Sequence, residues 1–190
     1  TLEMTSNATT TPVGATLPGT AMERAENTPP TVDTGPDATI DEGGLFTRTV
    51  SVTDPDSANL TGTVTYGDGT GSNTVSINAG TLDLGHTYLE NGTYRIALSV
   101  SDGETTVTDT VNVTVRNVAP MLMDLTTDDL VTEGETVTIT AAFVDPGAED
   151  THTATVDWGD GSTERVPIDT GPDRGTITAS HAYTGDGTYE

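Results

Sequence analysis

In several runs between Val50 and Val115 apolar side chains recur at every second position. Val50 and Val52, Val64 and Tyr66, Val75 and Ile77, and Leu82 and Leu84 alternate with polar residues, and so do the longer runs Tyr94, Ile96, Leu98, Val100 and Val107, Val111, Val113, Val115. Successive side chains on a strand point to opposite faces, so a period of two predicts strands with one face in a core and the other in water. No stretch carries the 3.6-residue spacing of an amphipathic helix; at most a short helical turn is expected around Ala21 to Ala25. Asp-Gly pairs at 68–69, 102–103 and 160–161, with Asn91-Gly92, supply residues that tolerate positive φ where two-residue hairpin turns need it.

The pattern is written twice. Asn27-Thr28-Pro29-Pro30 answers to Asn117-Val118-Ala119-Pro120 at an offset of 90 (117 − 27). Glu42-Gly43 answers to Glu133-Gly134 and Asp54-Pro55 to Asp145-Pro146, both at 91. Gly67-Asp68-Gly69 answers to Gly159-Asp160-Gly161 at 92, and His86-Thr87-Tyr88 and Gly92-Thr93-Tyr94 answer to His181-Ala182-Tyr183 and Gly187-Thr188-Tyr189 at 95. An offset that grows only through loops marks two copies of one unit. A period of this length is too long for a solenoid repeat and fits a self-contained bead. Short strands with turn signals roughly every 8 to 12 residues predict that each bead is an all-β, antiparallel, Ig-like sandwich of about seven strands.

This divides the chain into a linker over residues 1–26, one sandwich over 27–116 and a second over 117–190. Residues 1–26 lack alternation and are rich in Thr, Ala, Pro and Gly. In the first copy two strands follow Gly92-Thr93-Tyr94; in the second the sequence stops at Glu190, the equivalent of Arg95. The second sandwich is therefore expected to be truncated, lacking its last two strands and leaving an apolar edge open. Either a longer natural chain completes it or another chain donates the strands.

Composition narrows the function. Asp+Glu number 30 against Lys+Arg 6, for a formal net charge of −24, and all six cations are Arg. Such a field repels nucleic acid and anionic membranes and attracts divalent cations, and it suits a solvated surface in salty water, as in halophilic or marine organisms. Cys is absent, which excludes disulfides and thiolate chemistry, and no apolar run reaches the roughly 18 residues of a membrane span.

The segment Val156-Asp157-Trp158-Gly159-Asp160-Gly161 resembles the W-D-F-G-D-G signature of PKD (polycystic kidney disease) modules, and His181-Ala182-Tyr183 with Gly187-Thr188-Tyr189 resembles the H-x-Y and G-x-Y that follow it. The first copy departs from the signature at Val64-Thr65-Tyr66, where the Trp and the first Asp are replaced. The resemblance covers residues 27–190. It implies an extracellular sandwich used as a spacer or for protein and glycan contacts, with no catalysis of its own.

The same resemblance implies a Ca²⁺ site where an Asn at the module start, an Asp-rich loop and the first Asp of the signature converge. Carried over by position, the second copy offers Asn117, Asp145, Glu149 or Asp150, and Asp157; the first offers Asn27, Asp54 and Asp56, with Thr65 in place of the last carboxylate. Hard oxygen donors of this kind suit Ca²⁺. The plainer reading is that Asp54-Pro55 and Asp145-Pro146 start turns and the acids solvate their loops. Asp54 to Asn59 is no EF-hand loop, because its sixth position is not Gly.

His86 and His181 precede a Tyr at equivalent positions, which marks one structural feature used twice, a satisfied hydrogen bond near a strand start; His152 stands alone in a polar loop. No nucleophile elbow occurs, so no enzyme is expected. Trp158 and most Tyr residues belong to the repeated signature and should pack inward, which leaves little for sugar stacking. Asn7, Asn59, Asn91 and Asn112 head Asn-x-Ser/Thr triplets that permit glycosylation in a secretory host. The chain reads as a non-catalytic spacer of a larger secreted or surface-anchored protein, stiffened by Ca²⁺, with neighbouring modules as partners. The alternatives are an adhesion module for a surface protein or glycan, and an accessory module of a secreted hydrolase.

Overall fold

The computed structural model describes residues 26–128, 130–171 and 174–189. The expected linker up to residue 25, the helical turn around Ala21 to Ala25 and the glycosylation triplet at Asn7 lie outside the described residues.

The first module contains eight strands: β1 (Thr31–Asp33), β2 (Ala38–Asp41), β3 (Leu45–Thr53), β4 (Thr61–Thr65), β5 (Ser72–Val75), β6 (Thr81–Thr87), β7 (Gly92–Ser101) and β8 (Thr106–Arg116). They form two sheets, ordered β1-β3-β6 and β2-β8-β7-β4-β5, antiparallel throughout except for the parallel pair β2 and β8. The alternating residues face each other across the gap: Val50, Val52, Leu82 and Leu84 from one sheet meet Val64, Ile96, Leu98, Val100, Val111 and Val113 from the other, all buried. The edge strand is divided between the two sheets, which is why eight strands stand where about seven were expected. The division falls at Thr34, which is 1% exposed. Its amide and hydroxyl both donate to Asp109 Oδ2 at 2.8 Å, and its carbonyl accepts from Arg48 Nη1 at 2.6 Å.

The Asp-Gly pairs do mark turns, with Gly69, Gly103 and Gly161 at positive φ. None is a two-residue turn: the loops between paired strands run over residues 66–71, 102–105 and 158–162. Asn91-Gly92 joins β6 to β7, which lie in different sheets, so that signal marks a crossing between sheets and not a hairpin.

The second module is built from β9 (Met121–Thr127), β10 (Thr136–Val144), β11 (Ala154–Asp157), β12 (Thr163–Val166), β13 (Ile168–Thr170) and β14 (Arg174–Ala182). One sheet has the order β13-β14-β10-β9; β11 and β12 pair by themselves. Ala141, Phe143, Trp158, Val166, Ile177 and Ala179 form its buried core. In the first module β7 pairs with β4; in the second an open groove of about 900 Å³ runs along the core, and nearby Leu122 and Leu125 are 62% and 67% exposed. The fold is all-β, two Ig-like sandwiches in tandem. No helix among the described residues is long and apolar enough to cross a membrane.

The two modules meet end to end. Register places the turn after β2, the loop between β6 and β7 and the end of β8 at one end of the first module, since Asp41 pairs with Arg116, Leu45 with Thr87 and Gly92 with Val115. In the second module the start of β9 lies beside the end of β10, where Met121 pairs with Val144. These two ends touch.

Candidate cation-binding loops and the joint between the modules

In the first module the structure brings Asn27, Asp54 and Asp56 into one loop cluster and adds Asp102. Asn27 Nδ2 donates to Asp102 Oδ2 at 2.9 Å and to Thr105 Oγ1 at 3.3 Å, and the Thr28 amide donates to Asp56 Oδ2 at 2.9 Å. Asp54 Oδ1 accepts from the amides of Asp56 and Ser57, the turn chemistry expected of an Asp-Pro start. Its other oxygen, Oδ2, is enclosed and has no hydrogen-bond partner among the described residues. Amide donation holds two of these carboxyls below the ordinary range: Thr105 N–H and then the Asn27 amide act on Asp102, and Thr28 N–H acts on Asp56. Sequence reasoning missed Asp102 because Asp102-Gly103 reads as a turn; nothing in a linear pattern says that the turn folds back onto Asn27.

In the second module Asp145 follows β10 and is 2% exposed. Its Oδ1 accepts from Gly147 N at 3.0 Å and its Oδ2 meets His152 Nε2 at 2.8 Å. His152 is therefore not alone in a polar loop: it pairs with Asp145 and tilts against the Phe143 ring at 4.7 Å. Asp150 folds over Gly147 so closely that a Cβ there would stand 2.5 Å from Asp150 Oδ2. Asn117 and Asp157 are exposed and line the same groove as Asp145 and Asp150, although Asp157 Oδ1 is engaged by the Gly159 amide. Glu149 points its amide at Glu90 Oε1 across the joint at 2.6 Å.

A carboxylate that the family resemblance did not offer as a ligand completes this end. Glu42, in the turn between β2 and β3, is 3% exposed, and one oxygen each from Glu42, Asp145 and Asp150 lie within 4.8 Å of one another. Glu42 N donates to Arg116 O, Gly43 N donates to Tyr88 O, and Glu42 Oε1 accepts from Val118 N at 2.7 Å. Gly43 has φ +72° and packs against Pro146 so tightly that a Cβ would stand 2.7 Å from Pro146 Cβ. Ala148 N donates to Leu89 O. The joint is thus made of direct contacts.

The repeated signature residues fasten each module internally. His86 Nε2 meets Asp68 Oδ2 at 2.5 Å while its ring stacks on Tyr66, and His181 Nε2 meets Asp160 Oδ2 at 2.8 Å while its ring stacks on Trp158. The Tyr two residues on closes each unit: Tyr88 and Tyr183 donate their hydroxyls to the carbonyls of Tyr66 and Trp158. Both histidines sit near the ends of β6 and β14, not at strand starts as expected, because the bond they make reaches the G-D-G loop at that end of the sheet. Burial works against ionisation of Asp68, yet donation from Thr70 and His86 outweighs it and holds the carboxyl below its ordinary value. Donation from the Ser162 hydroxyl and amide and from His181 takes Asp160 down to about 2.

A PKD domain family model matches residues 27–115 and 117–190. No curated protein matches the chain. Among solved structures, the chain is similar to the PKD domain of an M14-like peptidase from Thermoplasmatales archaeon SCGC AB-540-F20, with 27% identity and a TM-score of 0.38 over 47% of this chain and 98% of that one. It is also similar to the titin domains Z1Z2 in complex with telethonin, with 16% identity and a TM-score of 0.41 over 83% of this chain and 84% of that one. A third is the Bacteroides ovatus mixed-linkage glucan utilization locus protein SGBP-B in complex with a heptasaccharide, with 17% identity and a TM-score of 0.36 over 85% of this chain and 41% of that one.

Proposed function

Because the chain belongs to the PKD domain family across residues 27–115 and 117–190, we propose that it is a non-catalytic spacer of a larger secreted or cell-surface protein, in which sandwiches stacked end to end hold other parts apart. The observation that carries this reading is the joint. Two beads on a flexible string would need only a linker between them, whereas here Gly43 packs on Pro146, Val118 N–H is bonded to Glu42, and Ala148 N–H is bonded to Leu89 O. A spacer transmits position only if its segments do not swivel; modules of one chain move against each other by default, and the direct contacts at this boundary oppose that motion. The acidic surface, with a net charge of −24, supports an exposed, salty, extracellular setting.

Calcium stiffening belongs to the same reading. In the first module Asp54, Asp56 and Asp102 bring carboxylates from two loops beside the module start at Asn27, and the enclosed Asp54 Oδ2, without a hydrogen-bond partner among the described residues, supports a bound cation over a merely solvated loop. Bound there, Ca²⁺ would supply charge compensation; the residues themselves hold the module start against the two loops.

The test is nuclear relaxation of backbone amides on the full chain. The expected result is one anisotropic tumbling tensor shared by residues 27–116 and 117–189. Separate tensors, the signature of modules that reorient independently, would remove the spacer reading.

A further inference from the structure

We propose that the joint is itself a divalent-cation site, of the class taken by Ca²⁺, built by Glu42 of the first module together with Asp145 and Asp150 of the second. It deepens the spacer reading and rests on it. Asp145 and Asp150 stand where the family resemblance implies metal ligands; Glu42 does not, and it comes from the neighbouring module. A cation held there ties one sandwich to the next.

Three observations carry this. The first is distance: oxygens of the three carboxylates lie within 4.8 Å of one another, and two oxygens bound to one Ca²⁺ at about 2.3 to 2.6 Å stand no more than about 5 Å apart. The second is the state of Glu42. Its Oε1 is occupied by Val118 N–H, but Oε2 is enclosed and has no hydrogen-bond partner among the described residues. A buried carboxylate oxygen without a donor is costly, and a cation is the partner that a neighbourhood of other carboxylates admits. Among the described residues, the ion pairs of this group are limited to His152 on Asp145, so two buried acids and Asp150 face one another with a single potential cation. The third is preorganisation. Glu42 is held by its own amide on Arg116 O, by Gly43 on Tyr88 O and by Val118 on its carboxylate, and Asp145 is held by Gly147 and His152. The side chains need not be gathered before an ion binds.

All three donors are hard oxygens, one from the turn between β2 and β3 and two from the loop between β10 and β11, an irregular set that suits Ca²⁺ and not the tight octahedron of Mg²⁺. Asn117 and Asp157, which line the adjoining groove, and water are available to complete six to eight ligands. The sequence repeats the device: Glu133-Gly134 occupies the position of Glu42-Gly43 at the same offset of 91 that relates Asp54 to Asp145, and Glu133 is exposed.

The experiment titrates CaCl₂, with MgCl₂ as comparison, into the full chain after chelation, by calorimetry and by the slowing of hydrogen exchange at the Val118 amide. The variants are Glu42→Gln, Asp150→Asn and, as a control confined to the first-module loop, Asp54→Asn. The expected result is that Glu42→Gln and Asp150→Asn each weaken one calcium-binding event by on the order of tenfold or more, while Asp54→Asn leaves that event intact. Calcium should slow exchange at Val118 in the parent chain and not in Glu42→Gln. Binding that is equal in the parent and Glu42→Gln overturns the proposal, as does a Val118 amide indifferent to calcium in the parent; the second readout needs no variant to fold. Shared tumbling of the modules in chelator together with no calcium effect would sink this site and leave the spacer reading standing.

Discussion

At the scale of single residues, much of the polar chemistry is spent on fixing where the chain changes sheets. Thr34 leaves β1 for β2 with its amide and hydroxyl on Asp109 and its carbonyl on Arg48. Removing the acceptor strands two buried donors, so Asp109→Ala should lower the stability of the first module by about 1 to 3 kcal/mol, read from its urea midpoint. The pH dependence has a definite sign. Donation from Thr34 N–H and then its hydroxyl holds the Asp109 carboxyl below its ordinary value, and the Asn112 amides do the same for Asp37. A carboxyl depressed in the folded state contributes stability that is present above the unfolded value near 3.8 and lost as pH falls through the folded value. Stability of the first module should therefore fall as pH drops below about 4, and in the second module Asp160 carries the same loss down to about 2. Asp109→Ala should flatten that slope in an acid titration followed by circular dichroism. None of this was visible in the sequence, where Thr34 is one Thr among many and Asp109 sits within a Thr/Val run.

At the scale of elements, alternation foretold which side chains are inside and failed to say which strands are neighbours. A period of two assigns each residue to a face; partner choice is decided by loops and by the core as a whole. That is why Val50, Leu82, Ile96 and Val113 are buried as their positions require, while the parallel pairing of β2 with β8 and the crossing at Asn91-Gly92 could not be foreseen. The candidate site divides in the same way. Asp54 and Asp145 were legible because they recur in register at the head of Asp-Pro loops; Glu42 recurs as well, as Glu133, but like Asp102 it looks like an ordinary turn residue until a distant segment arrives beside it. The most buried element is β7, whose Ile96, Leu98 and Val100 are all at 0% exposure between β4 and β8. Leu98→Ala should cost about 2 to 5 kcal/mol. With separate cores on either side of the joint, calorimetry should show the loss in the transition of the first module alone; an equal shift in both would mean that the modules unfold as one unit.

At the scale of the molecule, a net charge of −24 on 190 residues sets two different dependences on ions, and they can be separated. Diffuse self-repulsion works through long-range fields and is relieved by any salt: the screening length falls from about 30 Å at 0.01 M to about 3 Å at 1 M. Surface pairs do little to offset it, since Arg116 and Asp41 are 65% and 56% exposed and an ion pair of that kind contributes about 0 to 1 kcal/mol. The unfolding midpoint should accordingly rise with NaCl across this range, most steeply at the low end. The joint behaves otherwise, because Glu42 and Asp145 are 3% and 2% exposed, and buried charges are screened far less by salt than exposed ones. Calcium bound there stabilises by mass action on the folded state and not by screening. In 1 M NaCl, where the diffuse term is spent, the parent chain should still gain several degrees from millimolar CaCl₂ and Glu42→Gln should gain less. If the calcium increment vanished for both at high salt, the acids at the joint would be part of the general field and nothing more, and the end-to-end contact would rest on Gly43, Pro146 and the backbone bonds alone.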